Sequence, residues 1–174
     1  SGDSFVQDGS SNGLNVTQNG TSNNVTTSGS FGIQKGSGNT TTINQGGTGS
    51  TVELSQDGTT NGATVNQTNG ASLGQLTANI TQGSSSHDNL ASISQDGNDT
   101  FNPDSDPSYA IIGQNGGNGL ATITQVNSGN GAHILQQGQY DTATISQGSD
   151  HGDHDLTSSI VQNGNYDTGS VNQT

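Results

Sequence analysis

One phrase of apolar and polar positions recurs along the chain: an apolar residue, one variable position, then Gln. It stands at Phe5-Val6-Gln7, Val16-Thr17-Gln18, Ile43-Asn44-Gln45, Leu54-Ser55-Gln56, Val65-Asn66-Gln67, Ile80-Thr81-Gln82 and Ile93-Ser94-Gln95. It continues at Ile112-Gly113-Gln114, Ile123-Thr124-Gln125, Ile134-Leu135-Gln136, Ile145-Ser146-Gln147, Ile160-Val161-Gln162 and Val171-Asn172-Gln173. Gln34 belongs to the same set, with Gly32 where the apolar residue is expected. Within most pairs the two Gln lie 11 residues apart, as in Gln7 to Gln18, Gln34 to Gln45 and Gln56 to Gln67, and the connections between pairs vary in length. The pairs define seven repeats, over residues 1–20, 28–47, 50–70, 76–97, 108–127, 130–149 and 156–174.

The second Gln of a repeat carries a small residue four positions earlier, such as Ala63, Ala91, Ala121, Ala143 or Gly169. Positions −4, −2 and 0 share one face of a strand, because side chains alternate with period two. That face reads small, aliphatic, Gln, and the intervening Thr, Ser and Asn suit a solvated face. No segment keeps an apolar stripe of period 3.6, so no helix is expected. The first Gln is usually followed by a variable residue and Gly, and six positions before the second Gln stands Asn12, Asn39, Asn61, Asn89, Asp141 or Asp167, with Gly119 in the fifth repeat. Such residues turn the chain, through cheap positive φ or side-chain bonds to the local backbone. Each repeat is therefore strand, tight arc, strand and return arc.

One such unit cannot bury its thin face alone, but stacked units can, at about 4.8 Å per layer. The expected fold is an all-β solenoid of seven strand-arc-strand repeats with two parallel sheets face to face. Its core columns would be Val16, Ile43, Val65, Ile93, Ile123, Ile145 and Val171 beside ladders of the fourteen Gln and of Asn12, Asn39, Asn61 and Asn89. An inward Gln stacked on Gln donates to one neighbour and accepts from the other, avoiding the roughly 1–3 kcal/mol of a buried unpaired amide.

Composition sharpens this picture. Of 174 residues only 23% are hydrophobic, 28 are Gly, and the formal net charge is −13. These values resemble those of a disordered chain, unless the core is one side chain thick. The sole Lys or Arg is Lys35, which excludes ordinary phosphate-backbone recognition, so no nucleic-acid partner is expected. No run of about 18 apolar residues exists, so no membrane span is expected. Without Cys there are no disulfides.

Departures from the repeat mark loops. Phe31, Gly32 and Ile33 break the alternation and predict a bulge or register slip near residues 28–33. The fourth repeat has two extra arc residues within 83–88, and the insertion 98–107 holds both prolines, which cannot join a ladder. Asp150, His151, Asp153, His154 and Asp155 form the densest polar cluster. It reads as a solvated insertion rather than a metal site. No Ser, His and carboxylate set recurs at one register, and no phosphate-binding Gly-Lys-Ser/Thr is present, so neither catalysis nor a cofactor is expected.

The stretch Gln56-Asp57-Gly58-Thr59-Thr60-Asn61-Gly62-Ala63-Thr64-Val65-Asn66-Gln67 resembles the curlin repeat of bacterial curli subunits, Gln-x-Gly-x-x-Asn-x-Ala-x-apolar-x-Gln. The resemblance extends over nearly the whole chain. It implies a secreted structural subunit that polymerises head to tail into extracellular amyloid fibres of a biofilm matrix, serving adhesion and cohesion at the bacterial cell surface. It further implies a minor nucleator homologue and an outer-membrane export pore as partners, and a chain that begins after its leader. Seven repeats with insertions differ from the familiar five-repeat form, so a minor nucleator or adhesin with curlin repeats is the alternative. An ice-binding solenoid is a more distant one, prompted by Thr40-Thr41-Thr42. Neither end of the chain shows an atypical capping repeat, so both ends are expected to expose strand edges and unpaired Gln, which favours an open filament.

Overall fold

The structure, a computed structural model, describes residues 5–26, 32–68, 75–97, 107–127, 129–148 and 156–174. Every regular element among these is a strand. In chain order they are β1 (Phe5–Ser10), β2 (Gly13–Thr21), β3 (Asn24–Thr26), β4 (Gly32–Ser37), β5 (Thr40–Thr48), β6 (Thr51–Thr59), β7 (Gly62–Thr68) and β8 (Leu76–His87). There follow β9 (Leu90–Asp96), β10 (Ser108–Gln114), β11 (Leu120–Val126), β12 (Gly131–Gln136), β13 (Thr142–Gln147), β14 (Thr157–Gln162) and β15 (Thr168–Gln173).

The chain alternates between two sheets. The first runs β1-β4-β6-β8-β10-β12-β14, with β3 also paired to β6, and the second runs β2-β5-β7-β9-β11-β13-β15. All pairings between neighbouring strands are parallel. This is the β-solenoid expected from the repeat, seven strands along each path.

Period two governs burial as it does the sequence. In β7 the side chains of Ala63, Val65 and Gln67 point inward while Thr64 and Asn66 point out. Layer on layer, Ile43, Val65, Ile93, Ile123 and Ile145 form a fully buried column in the second sheet. Leu54, Ile80, Ile112, Ile134 and Ile160 form its counterpart in the first. Burial of each is worth roughly 1.5–3 kcal/mol. The two faces meet closely: a Cβ added to Gly169 in β15 would come within 3.0 Å of Ile160 Cγ2 in β14. The columns thin out at the terminal layers, where Val16 is 39% exposed and Val171 is partly buried.

The second repeat breaks register near residues 28–33, where the sequence predicts a bulge or slip. β3 sets Val25 opposite Val52, and β4 returns with Ile33 opposite Ser55 and Gln34 opposite Gln56. Nine residues separate Val25 from Gln34 and four separate their partners on β6, so the register shifts by five. Val25 and Gln34 both lie on the core side, which unbroken alternation over an odd separation would not allow. Gly32 sits opposite Phe5 of the first layer, and residues 27–31, including Phe31, lie outside the described residues. The two extra residues of the fourth repeat fall where they were expected. Gln56 pairs Gln82 but Gly58 pairs Ser86. Residues 98–106 and the cluster Asp150 to Asp155 lie outside the described residues.

The Gly of Gln-x-Gly has a steric cause. Gly36 has φ +93, and a Cβ there would fall on the carbonyl oxygen of Gly58 in the next layer; Gly9 meets Gly36 in the same way, and Gly138 meets Gly164. Gly13, by contrast, has open space, with only Thr40 Cγ2 at 3.8 Å. Gly36→Ala is expected to lower stability by more than about 2 kcal/mol, combining the positive-φ cost of an L residue with the clash. Gly13→Ala should change it by less than about 1 kcal/mol. The urea concentration that halves the β-sheet circular dichroism signal separates the two.

Candidate functional site: the amide ladders and the terminal layers

All fourteen Gln of the repeat phrase stand in register. The first sheet aligns Gln7, Gln34, Gln56, Gln82, Gln114, Gln136 and Gln162. The second aligns Gln18, Gln45, Gln67, Gln95, Gln125, Gln147 and Gln173. In the first sheet each Nε2 donates to the Oε1 of the next layer, at 2.7 to 3.0 Å from Gln7→Gln34 through Gln136→Gln162. The second sheet repeats this from Gln18→Gln45 through Gln147→Gln173, also at 2.7 to 3.0 Å.

The second N–H of these amides crosses to the other sheet. Gln56 Nε2 donates to Thr40 O at 3.3 Å, Gln82 to Gly62 O at 3.0 Å and Gln114 to Leu90 O at 3.3 Å. From the other side Gln67 reaches Thr51 O at 3.2 Å and Gln125 reaches Tyr109 O at 3.0 Å. A Gln side chain is long enough for both tasks, and its amide supplies two donors and an acceptor. The ladder was legible as stacking; the cross-sheet bond was not, since it joins residues whose spacing varies with each arc.

The Asn column works on the arcs. Asn39 N–H donates to Asn12 Oδ1 at 3.0 Å, Asn61 N–H to Asn39 Oδ1 at 3.0 Å, and Asn89 N–H to Asn61 Oδ1 at 3.2 Å. Gly119 N–H continues it to Asn89 Oδ1 at 2.7 Å. The Nδ2 groups bond carbonyls of the following layer: Asn12 reaches Gly36 O and Asn39 reaches Gly58 O, both at 3.1 Å, and Asn89 reaches Gly116 O at 2.8 Å. The residue before each column member is left-handed, for example Thr60 at φ 55, Asp88 at φ 54 and Tyr140 at φ 60. Tyr140 and Tyr166 stack there with centroids 4.9 Å apart.

A second column on the return arcs escaped the sequence reading. Asn23 Oδ1 accepts the Ser50 N–H at 3.1 Å, and Asn130 Oδ1 accepts the Leu156 N–H at 3.3 Å. Asn130 and Ser50 each lie six residues before a first-sheet Gln, the offset that marks the other column. Ser, Leu and an insertion at equivalent places hide the pattern.

Polar groups suited to chemistry are sparse. Among the described residues no three His, Cys, Asp or Glu side chains stand close enough to share a metal ion. A shallow groove of about 380 Å³ is lined by Thr81, Gly83, Ser84, Gln114, Leu135 and Gln137 among others, with no titratable side chain. Among the described residues no helix is long and apolar enough to cross a membrane. The hydrogen bond from Thr60, together with His87 beside it, holds the Asp88 carboxyl below the usual carboxylate range. A depressed carboxyl strengthens the fold at neutral pH, and this tie between layers is lost as pH falls through the folded-state pKa.

Comparison with known proteins finds no match of the chain to a family model, to a curated protein or to a solved structure.

Two substitutions in the columns should act in opposite directions. Gln82→Leu removes the donor to Gln114 Oε1 and to the Gly62 and Asn89 carbonyls. It should cost roughly 1–3 kcal/mol for each polar group left unpaired. Asp141 stands in the Asn column at 1% exposure; its Oδ1 accepts the Asp167 N–H at 3.1 Å, but its Oδ2 has no partner. Asp141→Asn supplies the donor that Asn12, Asn39 and Asn89 use, so it should raise stability by about 1 kcal/mol. Urea titration of both variants beside the parent chain reads both signs.

Proposed function

We propose that this chain is a structural subunit whose activity is its own polymerisation, end to end, into extracellular amyloid fibres of the curli type. The observation that carries this reading is the sameness of the layers: the Gln columns of both sheets, and the aliphatic column of the second from Val16 to Val171, run in register from the first layer to the last. The surface that ends one stack therefore has the same design as the surface that begins another. A contact of that kind does not close on itself and extends without limit. Strands would lie perpendicular to the fibre, with the amide ladders continuous along it.

The curlin-like motif supports the biological setting: secretion through an outer-membrane pore, nucleation by a minor homologue, and a role in the cohesion and adhesion of a biofilm. The net charge of −13 acts as a brake in this setting. Like charges brought into adjacent layers repel, which keeps the secreted chain soluble until it meets a growing end. The outer face of the second sheet does align Thr42, Thr64, Thr122 and Thr144 in one column, but the next outward column is Asn44, Asn66, Thr124 and Ser146. It lacks the paired Thr ranks of an ice-ordering surface.

The test is dilution of the purified chain out of denaturant, followed by thioflavin fluorescence and electron microscopy. A lag, then unbranched fibrils with a reflection near 4.7–4.8 Å along the axis, is the expected result. A chain that stays monomeric and soluble for days excludes the polymer. A nucleator would instead show itself by shortening the lag of a second curlin protein at substoichiometric amounts.

A further inference from the structure

The Asn column changes its chemistry in the sixth and seventh repeats, where Asp141 and Asp167 take the place of Asn. In the Asn layers Nδ2 aims a donor at backbone carbonyls. Asn39 reaches Lys35 O at 2.7 Å and Gly58 O at 3.1 Å, and Asn89 reaches Gly116 O at 2.8 Å. Gly164 holds the place in its repeat that Gly58 holds in the third, two residues after the first Gln. A Cβ built on Gly138 would stand 1.3 Å from Gly164 O and 2.9 Å from Asp141 Oδ2. The two oxygens are therefore no farther apart than the sum of those distances.

Asp141 thus offers an oxygen where its neighbours in the column offer an N–H. The side chain is 1% exposed, and no donor reaches its Oδ2. The acids around it do not relieve this. The Asp167 N–H is spent on Asp141 Oδ1 at 3.1 Å, and Asp167 Oδ2 accepts the Gly164 N–H at 3.0 Å. Thr142 opposes Thr168, so the two carboxylates, one residue earlier in each strand's approach, lie in adjacent layers about 4.8 Å apart. A buried carboxylate oxygen without a partner, facing a carbonyl oxygen and stacked beside a second carboxylate, is costly unless a positive charge joins it.

We propose that Asp141, Asp167 and the Gly164 carbonyl form a cation site that takes calcium. A point midway between carboxylates one layer apart is about 2.4 Å from each, inside the roughly 2.3–2.6 Å of calcium–oxygen bonds. Magnesium, at about 2.0–2.1 Å, is too small to bridge that span. Two carboxylates balance the double charge, and every protein donor is an oxygen, as a hard cation requires. Asp167 is half-buried and Gly164 exposed, so water completes the shell. A site with so few protein oxygens belongs in the weak class, with a dissociation constant of about 10⁻⁴–10⁻³ M. The site is complete within one chain and stands whether or not copies polymerise.

The tyrosines supply a probe. Tyr140 and Tyr166, each next to one of the two acids, stack with centroids 4.9 Å apart, and the chain has only three Tyr and no Trp. Terbium, a hard cation of calcium's size, emits when a tyrosine beside it is excited. Terbium added to the purified folded chain should give tyrosine-sensitised emission that saturates. Calcium chloride should displace it, and magnesium chloride at the same concentration should not. Asp141→Asn and Asp167→Asn should each bind terbium at least about tenfold more weakly, since each removes a charged ligand. Asp8→Asn, which removes an exposed acid of the first layer, should bind as the parent does.

Stability gives a second reading that needs no tyrosine. Calcium chloride should raise the parent's urea midpoint above its value in sodium chloride of equal ionic strength, and a chelator should reverse the rise. The midpoint of Asp141→Asn should not respond, because its amide supplies the donor that the site lacks. Tyr140→Phe with Tyr166→Phe should lose the emission and keep the calcium response. Equal shifts from calcium, magnesium and matched sodium chloride would mean that the −13 charge is only being screened, and would overturn the site. Emission and calcium response undiminished in both Asp141→Asn and Asp167→Asn would overturn it as well.

Discussion

The rest of the structure depends on the buried Gln amide. Its two N–H groups and its oxygen must all find partners, and they find them in different directions: the next layer, the preceding layer and the opposite sheet. Only a parallel, in-register stack supplies the first two, since a slip of one residue would turn the amide out to water and an aliphatic neighbour with it. Only an opposed sheet at fixed distance supplies the third. The amide therefore fixes register and sheet separation at once, and the geometry of the arcs follows. A layer thin enough for Gln56 to reach the Thr40 carbonyl forces the backbone turns of adjacent layers together, so that Gly36 lies against the Gly58 carbonyl.

This explains how so little apolar surface suffices. In a globular domain of this length a core of mixed side chains would need more than 23% hydrophobic residues. Here strands such as β7, β9, β11 and β13 each contribute one aliphatic and one small side chain, and burial comes from repetition along the axis. Sheet faces that would otherwise be frayed by glycine are covered from the neighbouring layer. The Tyr109 ring lies over Gly131, and Leu135 Cδ1 would be 3.2 Å from a Cβ at Gly113. Outward bulk on one layer thus compensates for outward glycine on the next.

Much of this was legible in the sequence because a solenoid turns a one-dimensional period into a three-dimensional column. The spacing of Gln56 and Gln67 named two strands, and the Gly58 and Asn61 between them named the arc. What stayed hidden was whatever does not repeat. The return-arc column uses Asn at 23 and 130 but Ser at 50 and Leu at 76, so no single residue type signals it. The break of register in the second repeat was legible, because Gly32 stands between Phe31 and Ile33. Only the pairing of Val25 with Val52 shows that an earlier segment fills the layer. The cross-sheet amide bonds were invisible because their sequence separation is set by arc length, 16 for Gln56 to Thr40 and 20 for Gln82 to Gly62.

Charge follows the same geometry. The fully buried aliphatic columns hold no ionisable group, so the acids collect on arcs and outer faces, where stacking sets equivalent positions of successive layers about 4.8 Å apart. At that distance two exposed like charges repel by roughly 1 kcal/mol in water and more near a protein surface, and a column of them would oppose the stack that the amides build. The register disperses them. Lys35 falls between Asp8 and Asp57 in one column, so the single Lys or Arg of the protein separates two carboxylates. Asp96 pairs with Thr68 on one side and Val126 on the other. Among the described residues Asp141 and Asp167 are the exception, two acids in consecutive places of the Asn column, where the Asp141 carboxylate accepts the Asp167 backbone N–H.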